Sequence, residues 1–173
     1  LIKGYEKYLT NYSNDIGKKI FEIILCAFTA PFMSYIRKSV SNNETRQNLP
    51  IFLFIGGIGG AGKSSLLKAV SRMIKDDHSI KDFINYGAIS KHNSPSQKTT
   101  ETKTYIKNLM RENNVFPLLI DEIPPTFFEN KNMGEEIIKE TSNIIDEQSY
   151  DYPIFIGTTN CSNYSMEYSA TRR

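Results

Sequence analysis

Apolar residues are arranged along the chain in two ways, as short continuous runs and as longer segments in which they recur every three or four positions. The continuous runs predict strands that are buried on both faces, and the recurring spacing predicts helices. The sequence predicts four strands, at residues 51–55, 83–89, 116–120 and 153–157. It predicts helices over about 66–74, from Thr99 or Thr100 to about 110, and over about 133–147. Strands that alternate with helices form a parallel sheet covered on both faces, so the predicted fold is a three-layer α/β domain.

The first 40 residues are predicted to be helical and to lead, through a polar connector at 41–48, into the first strand. Residues 20–36 are mostly apolar and have basic residues on both sides, an arrangement that superficially resembles a membrane span. The stretch is at the short limit for crossing a bilayer, and it contains Glu22 and Pro31. A membrane span is therefore not the favoured interpretation.

A buried pair of helices explains the same stretch better. Proline is favoured in the first turn of a helix, and Thr29 is placed to cap a second helix that begins near Pro31. We therefore expect the helix to break near residues 29–31, and we expect no membrane partner. Residues 1–49 are predicted to form a helical segment with its connector, and residues 50–173 to form the core.

The length, charge and cysteine content of the chain favour one ordinary domain. The 173 residues suit a single domain with a sizeable core, and a net charge of +2 is too small to indicate a nucleic-acid partner. Cys26 and Cys161 are far apart, and neither they nor the two histidines have the spacing of a disulfide framework or a metal site. We expect a reduced, cytoplasmic setting. Because the chain starts without a methionine and ends abruptly, we also expect it to be part of a longer polypeptide.

The segment between the first strand and the first helix of the core, residues 57–64, reads Gly-Ile-Gly-Gly-Ala-Gly-Lys-Ser. It satisfies the Walker A pattern, in the strand, loop and helix context that this pattern requires. Glycines let the backbone fold around an anion, and the following helix directs its positive dipole end to the same charge. Lys63 is expected to reach the β- and γ-phosphates of a nucleotide, and Ser64 to hold Mg²⁺. The residues predicted to bind the nucleotide are Gly57, Ile58, Gly59, Gly60, Ala61, Gly62, Lys63, Ser64 and Ser65.

An acidic pair, Asp121 and Glu122, follows the third predicted strand. Ligands of open α/β sheets bind at the carboxyl ends of the strands, and the pair is predicted to lie there. It resembles a Walker B motif, in which Asp121 would bind the Mg²⁺ shell mostly through water. Glu122 would orient and activate the water that attacks the γ-phosphate.

The fourth predicted strand is apolar but is followed by the polar residues Thr158, Thr159 and Asn160. Asn160 resembles a sensor-1 residue, whose amide hydrogen-bonds the γ-phosphate and the lytic water. Two arginines, Arg172 and Arg173, end the chain shortly afterwards. Together with the phosphate loop and the acidic pair, these motifs resemble those of AAA+ ATPases over residues 50–173.

The resemblance to AAA+ proteins implies a Mg²⁺-dependent ATPase in which arginines of one subunit act on the ATP of the next. Arg172 and Arg173 would take this role, so a homo-oligomer with shared active sites is expected. The catalytic set implied by the resemblance is Glu122, Asn160, Arg172 and Arg173. The sequence ends before the fifth strand, the helical lid and the sensor-2 arginine that AAA+ chains carry.

Two alternatives to an ATP-driven motor or switch are left open. The polar segment at 90–98 lacks the aromatic residue of unfoldase pore loops. A solvated, flexible loop is the favoured interpretation of this segment, and its lysines only weakly favour a polyanionic partner. If residues 91–103 contact nucleic acid, a superfamily-three-like helicase or translocase is indicated, and DNA should then stimulate turnover. The other alternative is a signalling or assembly module that assembles when it binds ATP and hydrolyses ATP slowly.

Overall fold

The computed structural model describes residues 14–40, 49–74, 83–89, 94–111, 115–129, 134, 136–139 and 152–161. The helices in these ranges are α1 (Asn14–Ser39), α2 (Lys63–Ile74), α3 (Pro95–Arg111) and the short α4 (Thr126–Glu129). The strands are β1 (Phe52–Gly56), β2 (Ile84–Asn85), β3 (Leu118–Ile123) and β4 (Phe155–Thr159). A 3-10 turn, Tyr86–Ala88, follows β2 directly, and residues 134 and 136–139 are also helical.

The strands form one parallel sheet in the order β1-β4-β3-β2. β4 pairs with β1 on one side and with β3 on the other, and all five of its residues are buried. The carboxyl ends of β1, β4 and β3 therefore meet at one edge of the sheet. In parallel sheets this is the edge where ligands bind.

Two core clusters cover the two faces of the sheet. Successive strand residues point to opposite faces, and Leu119 and Ile120 accordingly belong to different clusters. One cluster joins the sheet to α1 and α2 through Ile20, Ala27, Ala30, Leu66, Leu67 and Val70. The other joins the sheet to α3, α4 and the segment at 136–139 through Ile106, Met110, Phe127 and Ile137. The predicted three-layer α/β fold with a parallel sheet is confirmed.

The strands lie where the apolar runs predicted them, but two of them are longer at the functional edge. β3 and β4 continue past the predicted ends at residues 120 and 157, so the acidic pair and the two threonines are strand residues. They remain in the sheet because Thr159 pairs with Ile123 of β3 and with Gly56 of β1. The predicted strand over 83–89 is reduced to the two residues of β2, because the chain turns at Asn85, whose side chain accepts a hydrogen bond from the N–H of Gly87.

α3 begins earlier than the sequence predicted, at Pro95. Proline suits the first position of a helix because the N–H that it lacks would have no helical partner there. The carbonyl of Ser94 accepts the first helical hydrogen bond from the N–H of Lys98, at 2.9 Å. The helix predicted over 133–147 is present at 134 and 136–139, and the other residues of that prediction lie outside the described ranges.

α1 is one continuous helix, so the predicted break near residues 29–31 is wrong. Pro31 lies inside it, although proline removes a helical hydrogen bond. Thr29 does not cap a second helix, because its hydroxyl points back to the carbonyls of Leu25 and Cys26, both at 3.0 Å. The helix continues through the proline because its inner face stays packed on the core before and after this position.

α1 is buried on one side only, whereas the sequence predicted buried helices. Within the described ranges, Asp15–Ser39 is the one helix long and apolar enough to cross a membrane, and 22% of its apolar window is buried. Its last turn is tied to the core by the buried Arg37, whose Nη1 donates a hydrogen bond to the carbonyl of Leu49 at 3.0 Å. The division of the chain between residues 49 and 50 stays a prediction.

Candidate functional site

The loop between β1 and α2 encloses an open space at the carboxyl edge of the sheet. Gly60 and Gly62 have φ angles of +77° and +80°, a left-handed conformation that glycine adopts most readily. Turns of this kind direct successive backbone N–H groups into a concavity that binds anions. α2 begins immediately after the loop, at Lys63, so the positive end of its dipole faces the same space.

Lys63 closes the base of this loop. Its Nζ donates hydrogen bonds to the carbonyls of Gly57 and Ile58, at 2.8 and 2.7 Å. Burial lowers the pKa of the Lys63 ammonium, and the charge of Asp121 acts in the opposite direction. Gly57 and Ile58 therefore contact the lysine through their carbonyls, and an anion in the loop would compete with these carbonyls for the ammonium.

One cavity of about 300 Å³ joins the loop to the ends of β3 and β4. It brings together most of the residues that the sequence singled out for binding and catalysis. Its lining consists of Gly59, Gly60, Ala61, Gly62, Lys63, Ser64, Ser65, Asp121, Glu122, Thr158, Thr159 and Asn160. Arg172 and Arg173 lie outside the described residues. The individual roles assigned to these side chains stay predictions.

The acidic pair lies on a β-bulge. Ile120 pairs with Gly157 and Ile123 with Thr159, so β3 contains one residue more than β4 between these two pairs. Glu122 has a φ of +60°, a strained value for a residue other than glycine. The bulge gives two neighbouring carboxylates different surroundings, because Asp121 is buried and Glu122 is exposed.

The hydroxyl of Thr158 holds the bulge in place. Thr158 Oγ1 donates a short hydrogen bond to Asp121 Oδ1 and accepts one from the backbone N–H of Glu122, at 3.1 Å. Thr158 and Asp121 are both almost fully buried, so each polar group depends on the other for a partner. Thr158 was not among the site residues predicted from the sequence. The signal that could have found it is a hydroxyl residue next to the apolar interior of a central strand.

Asn85, at the end of β2, fixes the carboxylate of Glu122. Asn85 Nδ2 donates a hydrogen bond to Glu122 Oε2 at 2.6 Å, and Asn85 Oδ1 accepts one from the N–H of Gly87 at 2.9 Å. Both ends of the amide are engaged, so its orientation is set. Asn85 was not among the predicted site residues either, because β2 is only two residues long and Asn85 comes next to the acidic pair only when β2 pairs with β3.

A second cavity, of about 500 Å³, lies on the β2 side of Glu122. It is bounded by the 3-10 turn, the start of α3 and the segment after β3, and Lys98 and Thr99 of α3 are part of its wall. Glu122 lines both cavities. Its carboxylate therefore lies in the wall between the phosphate loop and this second space, on the side where Asn85 holds it.

Asp121 and Ser64 are suited to hold Mg²⁺. Both line the smaller cavity, and Asp121 is buried and oriented by Thr158. Mg²⁺ in proteins is usually bound by one or two side-chain oxygens together with phosphate groups and water, which this pair can provide. In the part of the chain that the structure describes, no cluster of three or more acidic, histidine or cysteine side chains offers a fuller cage.

Comparison with protein families identifies the family of this chain. A family model described as Aq_aa27 P-loop NTPase domain matches residues 1–163. No curated protein matches the sequence. The matched range includes α1 as well as the phosphate loop, the acidic pair and Asn160.

Removing the hydroxyl of Thr158 should destabilise the site. Thr158→Val leaves the buried Asp121 carboxylate without this donor, so we expect the free energy of unfolding to fall by about 1–3 kcal/mol. It should also weaken the Mg²⁺ dependence of nucleotide binding, because Asp121 is no longer oriented. Thr158→Ser, which keeps the hydroxyl, should restore both properties. Urea unfolding and titration with a fluorescent nucleotide at varied Mg²⁺ measure them.

Thr104→Val is the matched control, because the Thr104 hydroxyl only donates to the carbonyl of Thr100 on the exposed side of α3. We expect this variant to bind Mg²⁺ and nucleotide as the wild type does. Wild-type stability and Mg²⁺ dependence in Thr158→Val would show that Thr158 does not support the acidic pair.

Lys63→Ala should weaken the binding of a nucleoside triphosphate. A charge-assisted hydrogen bond to phosphate contributes about 1.5–3 kcal/mol, so the dissociation constant should rise by roughly tenfold to a hundredfold. Isothermal titration with ATP and Mg²⁺ measures this change. Lys68→Ala, an exposed position on the same helix, is the control and should bind normally. Equal affinity of Lys63→Ala and the wild type would contradict the role of the loop.

Proposed function

The chain belongs to the Aq_aa27 P-loop NTPase domain family, and on this premise we propose that it is a Mg²⁺-dependent ATPase of the AAA+ type. In this proposal it is the motor or switch module of a larger, oligomeric protein. The observation that supports the proposal best is the single cavity shared by the phosphate loop, the acidic pair and Asn160. It places an anion-binding loop, two carboxylates and an amide around one space.

The phosphates of ATP would be bound by the backbone N–H groups of the loop and by Lys63. Lys63 would exchange the carbonyls of Gly57 and Ile58 for phosphate oxygens, since it already lies at the base of the loop. The first turn of α2 adds the partial positive charge of its N–H groups.

Ser64 and Asp121 are the side chains that would hold Mg²⁺ beside the phosphates. The metal, when bound, supplies positive charge that neutralises the phosphates and helps to orient them. Thr158 contributes by fixing the Asp121 carboxylate through its hydrogen bond.

Glu122 is the residue proposed to orient and activate the attacking water. It is the exposed carboxylate of the pair and it lines the cavity of the phosphate loop. Asn160 follows β4, which lies between β1 and β3, and it lines the same cavity as the phosphate loop and Glu122. This position supports a sensor role, in which one amide contacts both the terminal phosphate and the water.

Two parts of the proposal, the AAA+ type and the oligomer, are supported by the shared cavity together with the sequence resemblance. Arg172 and Arg173, which lie outside the described residues, would act on the ATP of a neighbouring subunit. An arginine that stabilises transition-state charge contributes a large factor to the rate of phosphoryl transfer. An isolated subunit would therefore turn over slowly.

One contact favours the alternative of a slow, gated module. The hydrogen bond from Asn85 engages the Glu122 carboxylate, which must be available to accept a proton from water. The hydrogen bond, 2.6 Å long, occupies one carboxylate oxygen and directs the carboxylate toward β2. In this alternative, which we call the gated version, ATP hydrolysis becomes fast only when the hydrogen bond between Asn85 and Glu122 is broken.

Glu122→Gln should separate ATP binding from hydrolysis. The amide keeps the size of the side chain but cannot accept the proton of water, so turnover should fall by about two orders of magnitude or more. ATP affinity should stay close to the wild-type value. Steady-state phosphate release measures turnover, and calorimetric titration measures ATP affinity. Glu101→Gln on α3 is the control and should change neither. Unchanged phosphate release would exclude Glu122 as the catalytic carboxylate.

Asn85→Ala should raise the basal rate of ATP hydrolysis severalfold if the amide restrains Glu122. ATP affinity should not change, because Asn85 does not line the cavity of the phosphate loop. Asn108→Ala, an exposed asparagine on α3, is the matched control and should leave the rate unchanged. A lower rate in Asn85→Ala would mean that the amide orients Glu122 productively, and the gated version would then be wrong.

A further inference from the structure

The outward face of α1 carries a line of large apolar side chains that nothing in the described structure covers. The exposed fractions are 53% for Phe21, 50% for Leu25, 47% for Phe28, 63% for Phe32 and 72% for Tyr35. We call these five residues the outer seam. A large aromatic side chain has about 150–250 Å² of surface, so the seam exposes on the order of 500 Å² of apolar area. This is at the upper end of the apolar patches that monomeric proteins expose.

The spacing of the outer seam is that of a helix that packs against another helix. Its residue numbers increase alternately by four and by three, from Phe21 to Tyr35. This is the alternation of a and d positions in a heptad pattern, which keeps one narrow line of side chains facing a partner helix. The seam lies on the side of α1 opposite Ile20, Ala27 and Ala30, which pack into the core. α1 is therefore apolar on two sides, and only one of them packs against other described residues.

The surroundings of the seam argue against a lipid partner. If α1 left the domain to cross a membrane, the apolar surface of α2 and the sheet that it covers would be exposed to water, and the hydrogen bond from Arg37 to Leu49 would break. A helix that lies on a membrane surface has a broad apolar face, but the outer seam is narrow and is bordered by the exposed charges of Lys18 and Glu22. A second helix with an equally narrow line of apolar side chains fits the outer seam better than a membrane surface does.

We propose that the outer seam packs against the outer seam of a second copy of this chain, with the two α1 helices antiparallel. In this register Phe21 meets Phe32 of the other copy, and Leu25 meets Phe28. Tyr35 then meets Lys18, which allows a cation–π contact. Every contact occurs twice, as a two-fold interface requires.

The size of the contact suits a dimer of moderate affinity. Each partner of a standard interface buries about 800 Å², and the seam with its flanking residues, among them the exposed Ile36, supplies most of this area. The interface uses no residue of the nucleotide cavity, so the proposal goes beyond the proposed ATPase activity and does not rest on it.

Analytical ultracentrifugation of the chain without nucleotide tests the dimer. The wild type should dimerise reversibly in the micromolar range, and Phe28→Lys and Phe32→Glu should each weaken dimerisation at least a hundredfold by placing a charge in the seam. Tyr105→Lys, which changes an aromatic side chain of similar exposure (40%) on α3, is the matched control and should dimerise as the wild type does. Circular dichroism and thermal unfolding check that all the variants are folded.

The orientation is tested by cross-linking in a variant whose Cys26 and Cys161 are replaced by serine. A short bis-maleimide should join the two copies when Lys18→Cys and Tyr35→Cys are combined. Lys18→Cys alone should not be joined, because its two copies lie about 25 Å apart along antiparallel helices. Efficient linkage of Lys18→Cys alone would indicate parallel helices and overturn the proposed packing.

Three other results would overturn the proposal. The first is a wild-type chain that stays monomeric at the highest attainable concentration, which would mean that the seam has a different partner. The second is a dimer that Phe28→Lys and Phe32→Glu do not weaken. The third is a monomer that floats with vesicles of anionic phospholipid, which would assign the seam to a lipid surface. Because nucleotide is absent from these measurements, a failed ATPase assay would not affect them.

Discussion

The backbone hydrogen bonds that hold β4 between β1 and β3 determine where the functional groups of this domain lie. Two strand spacings, about 9–10 Å, separate the end of β1 from the end of β3. This gap leaves room for phosphate groups and a hydrated metal ion between the loop and the acidic pair. It also places the residues at the end of β4 in the middle of the site. A slip of one residue in the pairing of β4 would move Thr158 away from Asp121 and put Gly157 or Thr159 in its place.

Much of the fold and part of the site could be predicted from local patterns. β1, β3 and β4 are continuous apolar runs, which is how strands buried on both faces appear in a sequence. The phosphate loop could be identified because its function depends on the backbone of consecutive residues. Thr158 could not be identified in this way, because its role depends on the β-bulge in β3, which is distant in the sequence. Pro31 misled the prediction for α1, since a local helix breaker was outweighed by packing against α2 and the sheet.

The site is also where the chain departs most from ordinary backbone and burial rules. Glu122 has a positive φ, Asp121 is a buried carboxylate, and both depend on the same threonine hydroxyl. A strained non-glycine residue costs on the order of 1–3 kcal/mol and persists only where its surroundings fix it. Here the rigid centre of the sheet supplies these surroundings. The same strain gives the two carboxylates separate environments, one buried beside Thr158 and one exposed beside Asn85.

The Lys63 ammonium already donates hydrogen bonds to the carbonyls of Gly57 and Ile58, so these carbonyls compete with any anion that enters the phosphate loop. The binding free energy that an anion gains from Lys63 is only the difference between two sets of contacts with the ammonium, those of the anion and those that the two carbonyls already make. With Lys63 in its proposed role, the loop would favour a polyphosphate over a singly charged anion, because the polyphosphate has the higher charge density. The competition also works in reverse. In the proposed hydrolysis, the carbonyls of Gly57 and Ile58 would compete with the released phosphate for Lys63 and so favour its release.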